Sequence, residues 1–500
     1  MTVVGSPEVT VADALADVLA EVLAGVPRQL FVGGRWRPSS DGSTFDVFDP
    51  ATGQRLAEVA DATPADADAA VASAAAALPG WSATAPRARA EVLRRAFELM
   101  TGRAEQLARL IVLENGKALA DARSEVAYAA EFFRWYSEEA VRLLGSVQTS
   151  PSGTNRILVT QRPIGVSVLV TPWNFPAAMA TRKIGPALAA GCAVVLKPAS
   201  ETPLTALAIA ALLAEAGVPD GVVNVLPSRR SGAVVGRMLD DPRVRKLSFT
   251  GSTEVGRVLL AAASRTVVSC SMELGGNAPF LVFSDADLPA AVAGAMVAKM
   301  RNGGEACTAA NRFYVHADVA ERFATLLTAE MAALRTGSGL DPAVQLGPLV
   351  NADSRRKVAD LVDRTLSLGA TALTGAAVPA GPGYFYPPTV LTGVPPEAPV
   401  LAEEIFGPVA PIVAFDTEDE AVELANATEY GLVGYVYTGD LARGLRVSER
   451  LEAGMVGLNR GVVSDPAAPF GGVKQSGIGR EGGHDGVLEY LESQYIAVDW

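Results

Sequence analysis

A thiol, a carboxylate and a carboxamide stand where each could do chemistry. Cys307 lies in GGEACTAANR (303–312), after two glycines and before a run of small residues. A thiol there is an inert small hydrophobe unless helix N–H groups or a cation stabilise its thiolate, in which case it is a nucleophile. Glu273 precedes the glycine pair of MELGGN (272–277) and is either a base or a surface carboxylate beside a turn. Asn174, held between Pro172 and Pro176 in PWNFP, can donate to a developing oxyanion or simply make a turn. The turn FTGSTEVG (249–256) follows a strand-like run and opens a helix. It lacks GxGxxG, and Arg257-Val258 follow it where an NTPase phosphate loop needs Lys-Ser/Thr. Its backbone N–H groups could still hold a pyrophosphate. His316 and His484 are the only histidines, and both read as structural or exposed. Serine–histidine and cysteine–histidine mechanisms are thereby disfavoured, leaving a carboxylate or lysine as base.

These residues need elements to hold them. Apolar runs at 164–170, 193–196, 222–226 and 246–249, with helical stretches between, predict a parallel sheet in a doubly wound α/β unit. A second series follows at 278–283, 311–316, 408–415, 431–437 and 454–458. Residues 28–60 read as short strands and turns, and helices dominate from about Thr63 to Leu144. An amphipathic helix is expected over 10–25, with Thr10 as cap, Asp13 completing a capping box and Gly25 as stop. Five hundred residues exceed one ordinary core, so two or three domains are expected. The net charge of −13 argues against nucleic acid or anionic membrane as partner. No apolar stretch of about 20 residues is present to span a bilayer. Glu8, Asp13 and Asp17 stand where an export signal needs basic residues, so a cytoplasmic protein is expected. Cys192, Cys270 and Cys307 lie far apart without metal-ligand spacing, which predicts free thiols and no metal site.

PWNFP, KPA, FTGS, ELGG, GEAC, EEIFGP and PFGGVKQSG, in that order, resemble the aldehyde dehydrogenase superfamily over roughly residues 28–500. The separation of Glu273 from Cys307, 307 − 273 = 34 residues, also resembles the family's. The resemblance implies an α/β fold. A Rossmann-like cofactor domain would be built from 1–147 and 163–276, a catalytic domain from 277–474, and an oligomerisation arm from 148–162 and 475–500, giving a homodimer or homotetramer. It implies that Cys307 attacks an aldehyde carbonyl, and that the Asn174 side chain and the Cys307 backbone N–H hold the oxyanion. Hydride then leaves for the nicotinamide, and Glu273 activates water to hydrolyse the thioester. Trp173, Asn174, Lys197, Ser200, Gly251, Ser252, Leu274, Glu404 and Phe406 match cofactor-contacting positions. Glu404 would hold the nicotinamide ribose and Lys197 the adenosine ribose. Relatives that prefer NAD often carry Glu where this chain has Ser200, so NADP is expected, with NAD possible because Glu201 adjoins it.

TRK (181–183), RN (301–302) and VKQSGIGREG (473–482) look most like the succinate-semialdehyde dehydrogenase branch. There two arginines and a serine grip the distal carboxylate, and the matching residues are Arg182, Arg301 and Ser464. Paired guanidinium forks suit a carboxylate, although surface ion pairs or subunit contacts would also account for the arginines. The alternatives are an NAD-dependent dehydrogenase of aliphatic, amino- or glutarate-type aldehydes, a catalytically silent relative, and a thioester-forming acyltransferase. Three departures from the family pattern stand out. Glu305 replaces a Gln, Met300 stands where an aromatic is common, and Ala309 replaces the second cysteine of a redox switch found in some relatives. The first two substitutions are expected to bear on the thiolate and on pocket shape.

Overall fold

The computed structural model describes residues 21–499. Most of the expected N-terminal helix, with Thr10, Asp13, Leu15 and Leu19, lies outside that range. Residues 21–23 are helical, Val22 is buried in the core, and Gly25 follows in the left-handed region (φ 75°).

Among the described residues the strands form four sheets. The largest runs in the order Gly477–Ile478, Ser269–Glu273, Val244–Thr250, Val166–Val170, Ala193–Lys197, Val223–Val225, Leu30–Val32, Arg35–Arg37. Its centre is parallel, with Val170 opposite Lys197 and Thr250 opposite Glu273. VSVLV and AVVLK are buried along their whole length, as central strands covered on both faces must be. The second sheet orders Thr371–Thr374, Thr389–Thr392, Val409–Phe415, Ala310–His316, Ala278–Val282, Val433–Tyr437 and Met455–Leu458. Both strand series read from the sequence are therefore present, with ends shifted by a residue or two. In the third sheet Leu491–Val498 pairs antiparallel with Arg156–Pro163, which pairs with Ser146–Thr149. Gly477–Ile478 extends the first sheet beside Met272 and Glu273.

Helices cover the first sheet. Pro64–Ala83 starts from a capping box in which Thr63 accepts from the Asp66 N–H and the Asp66 side chain accepts from the Thr63 N–H. Pro176–Ala190 is buried at every residue, begins with proline and ends at Gly191 (φ 96°), a left-handed position that suits glycine. Leu119–Glu139 packs along it. The three cysteines are free. His316 caps a helix by accepting from the Asp318 N–H, and His484 contacts Glu139, so neither serves a reaction centre. No helix among the described residues is long and apolar enough to cross a membrane, and no metal-binding cluster of His, Cys, Asp or Glu occurs among them.

Candidate active site

Two cavities meet at Cys307. The first, about 830 Å³, is lined by Trp173, Asn174, Gly251, Ser252, Leu274, Cys307, Glu404 and Phe406 among others. The second, about 530 Å³, contains Arg182, Arg301, Ser464, Phe175, Tyr128, Phe470 and again Cys307. Eleven of the fourteen chemistry-bearing residues read from the sequence line these two cavities, and three fall elsewhere. Ser200 lines a separate outer cavity of about 770 Å³. Lys197 is buried at the end of its strand, pushed down to about 8 by burial against the pull of Glu201 and Asp61. Glu273 lines none of these three cavities.

The first cavity is shaped by backbone. Strand Val244–Thr250 delivers Gly251 and Ser252 to the start of helix Thr253–Ala263, where Ser252 caps by accepting from the Val255 N–H. Open helix N–H groups and the dipole make that end receptive to phosphate oxygens. Across the cavity Glu404 Oε1 accepts from the Gly276 N–H at 3.1 Å. A Cβ on Gly275 would stand 3.2 Å from Glu404 Oε2, so the glycine permits this approach. Burial pushes the Glu404 carboxyl up to about 7, against the Gly276 N–H, Lys357 and Lys299. Phe406 takes φ 54°, an unusual conformation for a bulky residue, and its ring meets Trp173 edge-on at 5.4 Å.

The loops around Cys307 are tied together by buried polar groups. Asn174 Nδ2 donates to the Glu305 carbonyl at 3.0 Å, leaving its second N–H free to face a substrate oxygen. The Asn174 carbonyl accepts from Lys117 Nζ at 2.7 Å and from Asn302 Nδ2 at 2.9 Å. Asn302, at φ 54°, also donates to the Glu305 carbonyl at 3.0 Å, and Lys117 is paired with Glu125 at 2.6 Å. These tethers fix the carboxamide relative to the thiol. Lys117 and Asn302 were not found by sequence reasoning, because neither ENGKAL nor MRNGG carries a chemical signature by itself.

Charge decides the rest. Burial pushes the Cys307 thiol up to about 12; Arg182 and Arg301 oppose this, while Glu404 and Glu273 reinforce it. Glu273 is buried with both carboxyl oxygens unpartnered, and a Cβ on Gly471 would lie 2.8 Å from its Oε1. Burial, then Glu481, hold Glu273 well above the usual carboxylate range, against Arg182, Lys183 and Arg480. In this seat burial disfavours its charged form, and it lines neither cavity.

The two arginines differ. Arg182 Nε lies 2.6 Å from Glu481 Oε2, and its guanidinium stacks on Phe470 at 4.2 Å. Burial opposes its charge, yet Glu481 holds it above the ordinary arginine range. Glu481 is also paired with Lys183 at 2.5 Å. Arg301 has no carboxylate partner within ion-pair distance among the described residues. It reaches only Thr308 Oγ1 at 3.4 Å and lies 5.2 Å from the Phe175 ring centre. Glu481 sits in the GREGG stretch, but nothing in that pattern told that it would pre-engage an arginine.

Glu305 and Met300, the two departures expected to bear on the thiolate and on pocket shape, are both buried. Glu305 Oε1 accepts from the Val350 N–H at 3.1 Å. Met300 is buried in the core of the second sheet and lines neither cavity at Cys307.

A model of the aldehyde dehydrogenase family matches residues 36–496. A succinate-semialdehyde dehydrogenase of Paenarthrobacter nicotinovorans is 58% identical over 443 residues, covering 89% of this chain and 98% of the relative. A 3-sulfolactaldehyde dehydrogenase of Pseudomonas putida is 48% identical, covering 94% of this chain and 97% of the relative. The crystal structure of an Escherichia coli NADP-dependent enzyme superposes with a TM-score of 0.94 at 46% identity, covering 95% of this chain and 98% of that one.

Proposed function

Since the chain belongs to the aldehyde dehydrogenase family, we propose that it oxidises succinate semialdehyde to succinate, with NADP preferred and NAD accepted. The observation that carries the substrate is Arg301, a guanidinium without an ion-pair partner facing the cavity that holds the Cys307 thiol. An anionic end of the substrate supplies that partner. Ser464 adds a hydroxyl, and Arg182 adds whatever donors Glu481 leaves free.

The cofactor fits the first cavity by the chemistry of its lining. Capped helix N–H groups at Ser252 suit the pyrophosphate, Glu404 suits ribose hydroxyls, and Trp173, Leu274 and Phe406 supply apolar walls. When bound, the nicotinamide supplies the hydride acceptor. Lys197 and Ser200, toward the outer end, would serve the adenosine ribose.

In this reading Cys307 Sγ adds to the aldehyde carbon, and the resulting oxyanion is taken up by the free Asn174 Nδ2–H and the Cys307 backbone N–H. Loss of the aldehyde hydrogen as hydride leaves an acyl thioester on Cys307. Glu273 then activates water for hydrolysis. To do so its carboxyl must leave the seat against Gly471, where burial disfavours its charged form. Arg182 and Arg301 stabilise the thiolate as well as the substrate anion.

We further propose that 1–147 and 163–276 act as the cofactor domain, 277–474 as the catalytic domain, and 148–162 with 475–500 as an oligomerisation arm of a cytoplasmic homodimer or homotetramer. The three-stranded sheet joining 146–163 to 491–498 supports the arm. The test is nicotinamide reduction with succinate semialdehyde, comparing NADP and NAD at equal concentration, and with propanal as neutral control. Strong NADP reduction with succinate semialdehyde alone is the expected result. Equal kcat/KM for propanal would remove the carboxylate grip and keep the dehydrogenase.

A further inference from the structure

The outer cavity that holds Ser200 has an uneven set of charges. Asp46, Glu114, Glu201 and Asp353 line it, and Arg229 faces them. Each carboxylate already has a partner. Asp46 pairs with Arg55 at 3.3 Å, and Asp353 pairs with Arg356. Glu114 accepts from the backbone N–H groups of Leu204 and Thr205 at 2.8 Å each, and burial pushes it up to about 8. Glu201 accepts from Ser200 Oγ at 3.1 Å. The Arg229 guanidinium, which is exposed, has no hydrogen bond or ion pair among the described residues.

Its neighbour shows the contrast. Arg230 is committed, with Nη1 on Asp41 at 2.8 Å and Nε 3.6 Å from Asp61. The Arg229 backbone is anchored too, its N–H donating to Asp61 Oδ1 at 3.0 Å beside the Ser228 hydroxyl on the same oxygen at 2.7 Å. The chain thus fixes where Arg229 starts and leaves its planar fork to the cavity.

A ribose 2′-hydroxyl needs no cation, whereas a 2′-phosphate brings about two negative charges next to Glu201. Lys197 is not in the lining of this cavity; it is buried and held by the charges of Glu201 and Asp61. We propose that Arg229 is a specificity-determining residue that selects the cofactor's 2′-phosphate, its fork gripping the phosphate while Ser200 donates from the opposite side. This rests on the NADP preference proposed above and names the group that would supply it against the neighbouring carboxylates. A planar guanidinium suits phosphate because it donates two parallel hydrogen bonds.

The test is calorimetric titration of the full chain with adenosine 2′,5′-bisphosphate and with 5′-AMP, which needs no turnover. Wild type is expected to bind the bisphosphate more tightly than AMP. Arg229→Ala is expected to lose roughly 10-fold to 100-fold in bisphosphate affinity with AMP binding unchanged, and Arg229→Lys to recover part of it. In steady state, Arg229→Ala raises KM for NADP by a similar factor and leaves KM for NAD alone. If wild type prefers the bisphosphate and Arg229→Ala keeps that preference, Arg229 is not the selector and the NADP reading stands. If wild type binds both ligands equally, the NADP preference itself fails and takes the proposal with it. Unchanged circular dichroism is the fold control, since the side chain is exposed and unpaired.

Discussion

The two cavities that meet at Cys307 are specified in different ways. On the cofactor side the lining is mostly backbone and apolar surface, placed by glycines, a strained Phe406 and a helix start, with Glu404 inside it. On the other side two guanidinium groups and aromatic rings face a small space. In the proposed function, shape selects in the first and charge selects in the second. A large ligand with many weak contacts can be read by backbone. A small aldehyde offers few atoms, so its one charged end must carry discrimination.

The thiol belongs to both cavities, so removing it should separate chemistry from recognition most sharply. Cys307→Ser is expected to lower kcat on the order of 10⁴-fold or more while leaving adenosine 2′,5′-bisphosphate affinity unchanged in calorimetry. Residual turnover within 100-fold of wild type would mean that another group is the nucleophile. Next in size is Arg301→Ala, which acts on the charge-selective side alone. Loss of two charge-assisted hydrogen bonds predicts a fall in kcat/KM of roughly 10²-fold to 10³-fold for succinate semialdehyde. Propanal should stay within about threefold. Equal losses on both aldehydes would show that Arg301 shapes the cavity without reading charge.

Arg182 sharpens the comparison because it is part scaffold. Arg182→Met strips Glu481 of one of its two cationic partners and leaves Lys183. Removing one side of a buried pair costs on the order of 3 kcal/mol. A lower melting temperature and reduced turnover of both succinate semialdehyde and propanal are expected, in contrast to Arg301→Ala. A variant of wild-type stability with selective loss for succinate semialdehyde would place Arg182 with Arg301 as a plain anion reader.

That division also explains what the sequence made legible. The side proposed for the cofactor is built from short contiguous motifs, FTGS, ELGG and EEIFGP, and these motifs in succession carry the resemblance from which its residues are assigned. The sheets were legible for a related reason: fully apolar runs such as VSVLV and AVVLK leave a buried strand little alternative. Arg182, Arg301 and Ser464 came from resemblance too, since residues 119 to 282 positions apart carry no local pattern. What the pattern could not give was pairing. The Glu481 contact with Arg182 spans 299 positions, and the seat of Glu273 depends on the space left by Gly471. The direction of the Glu305 side chain was equally illegible, since it is set by the Val350 N–H.

Glu305 offers the smallest effect and a test of sign. Burial pushes its carboxyl up to about 8 from an ordinary 4.5, with the Val350 N–H and Lys117 opposing. Between those values the folded chain retains a proton that the unfolded chain has released. Stability contributed by this group therefore falls as pH rises from about 4.5 toward 8 and levels off above it. Glu305→Gln keeps an oxygen for the Val350 N–H and has nothing to ionise. Its stability should match wild type near pH 4 and exceed it by on the order of 4 kcal/mol near pH 8, read from denaturant midpoints. Activity on succinate semialdehyde should change by less than about threefold, because Glu305 Oε1 is engaged by the Val350 N–H, a bond the amide keeps. Glu481 provides the opposite case, since Lys183 and Arg182 overcome its burial and hold it below the usual carboxylate range. Its contribution is present at neutral pH and is lost as pH falls through its folded value. A Glu305→Gln variant that was less stable at pH 8, or that changed the pH dependence of kcat, would mean that this carboxyl is ionised and coupled to the thiol after all.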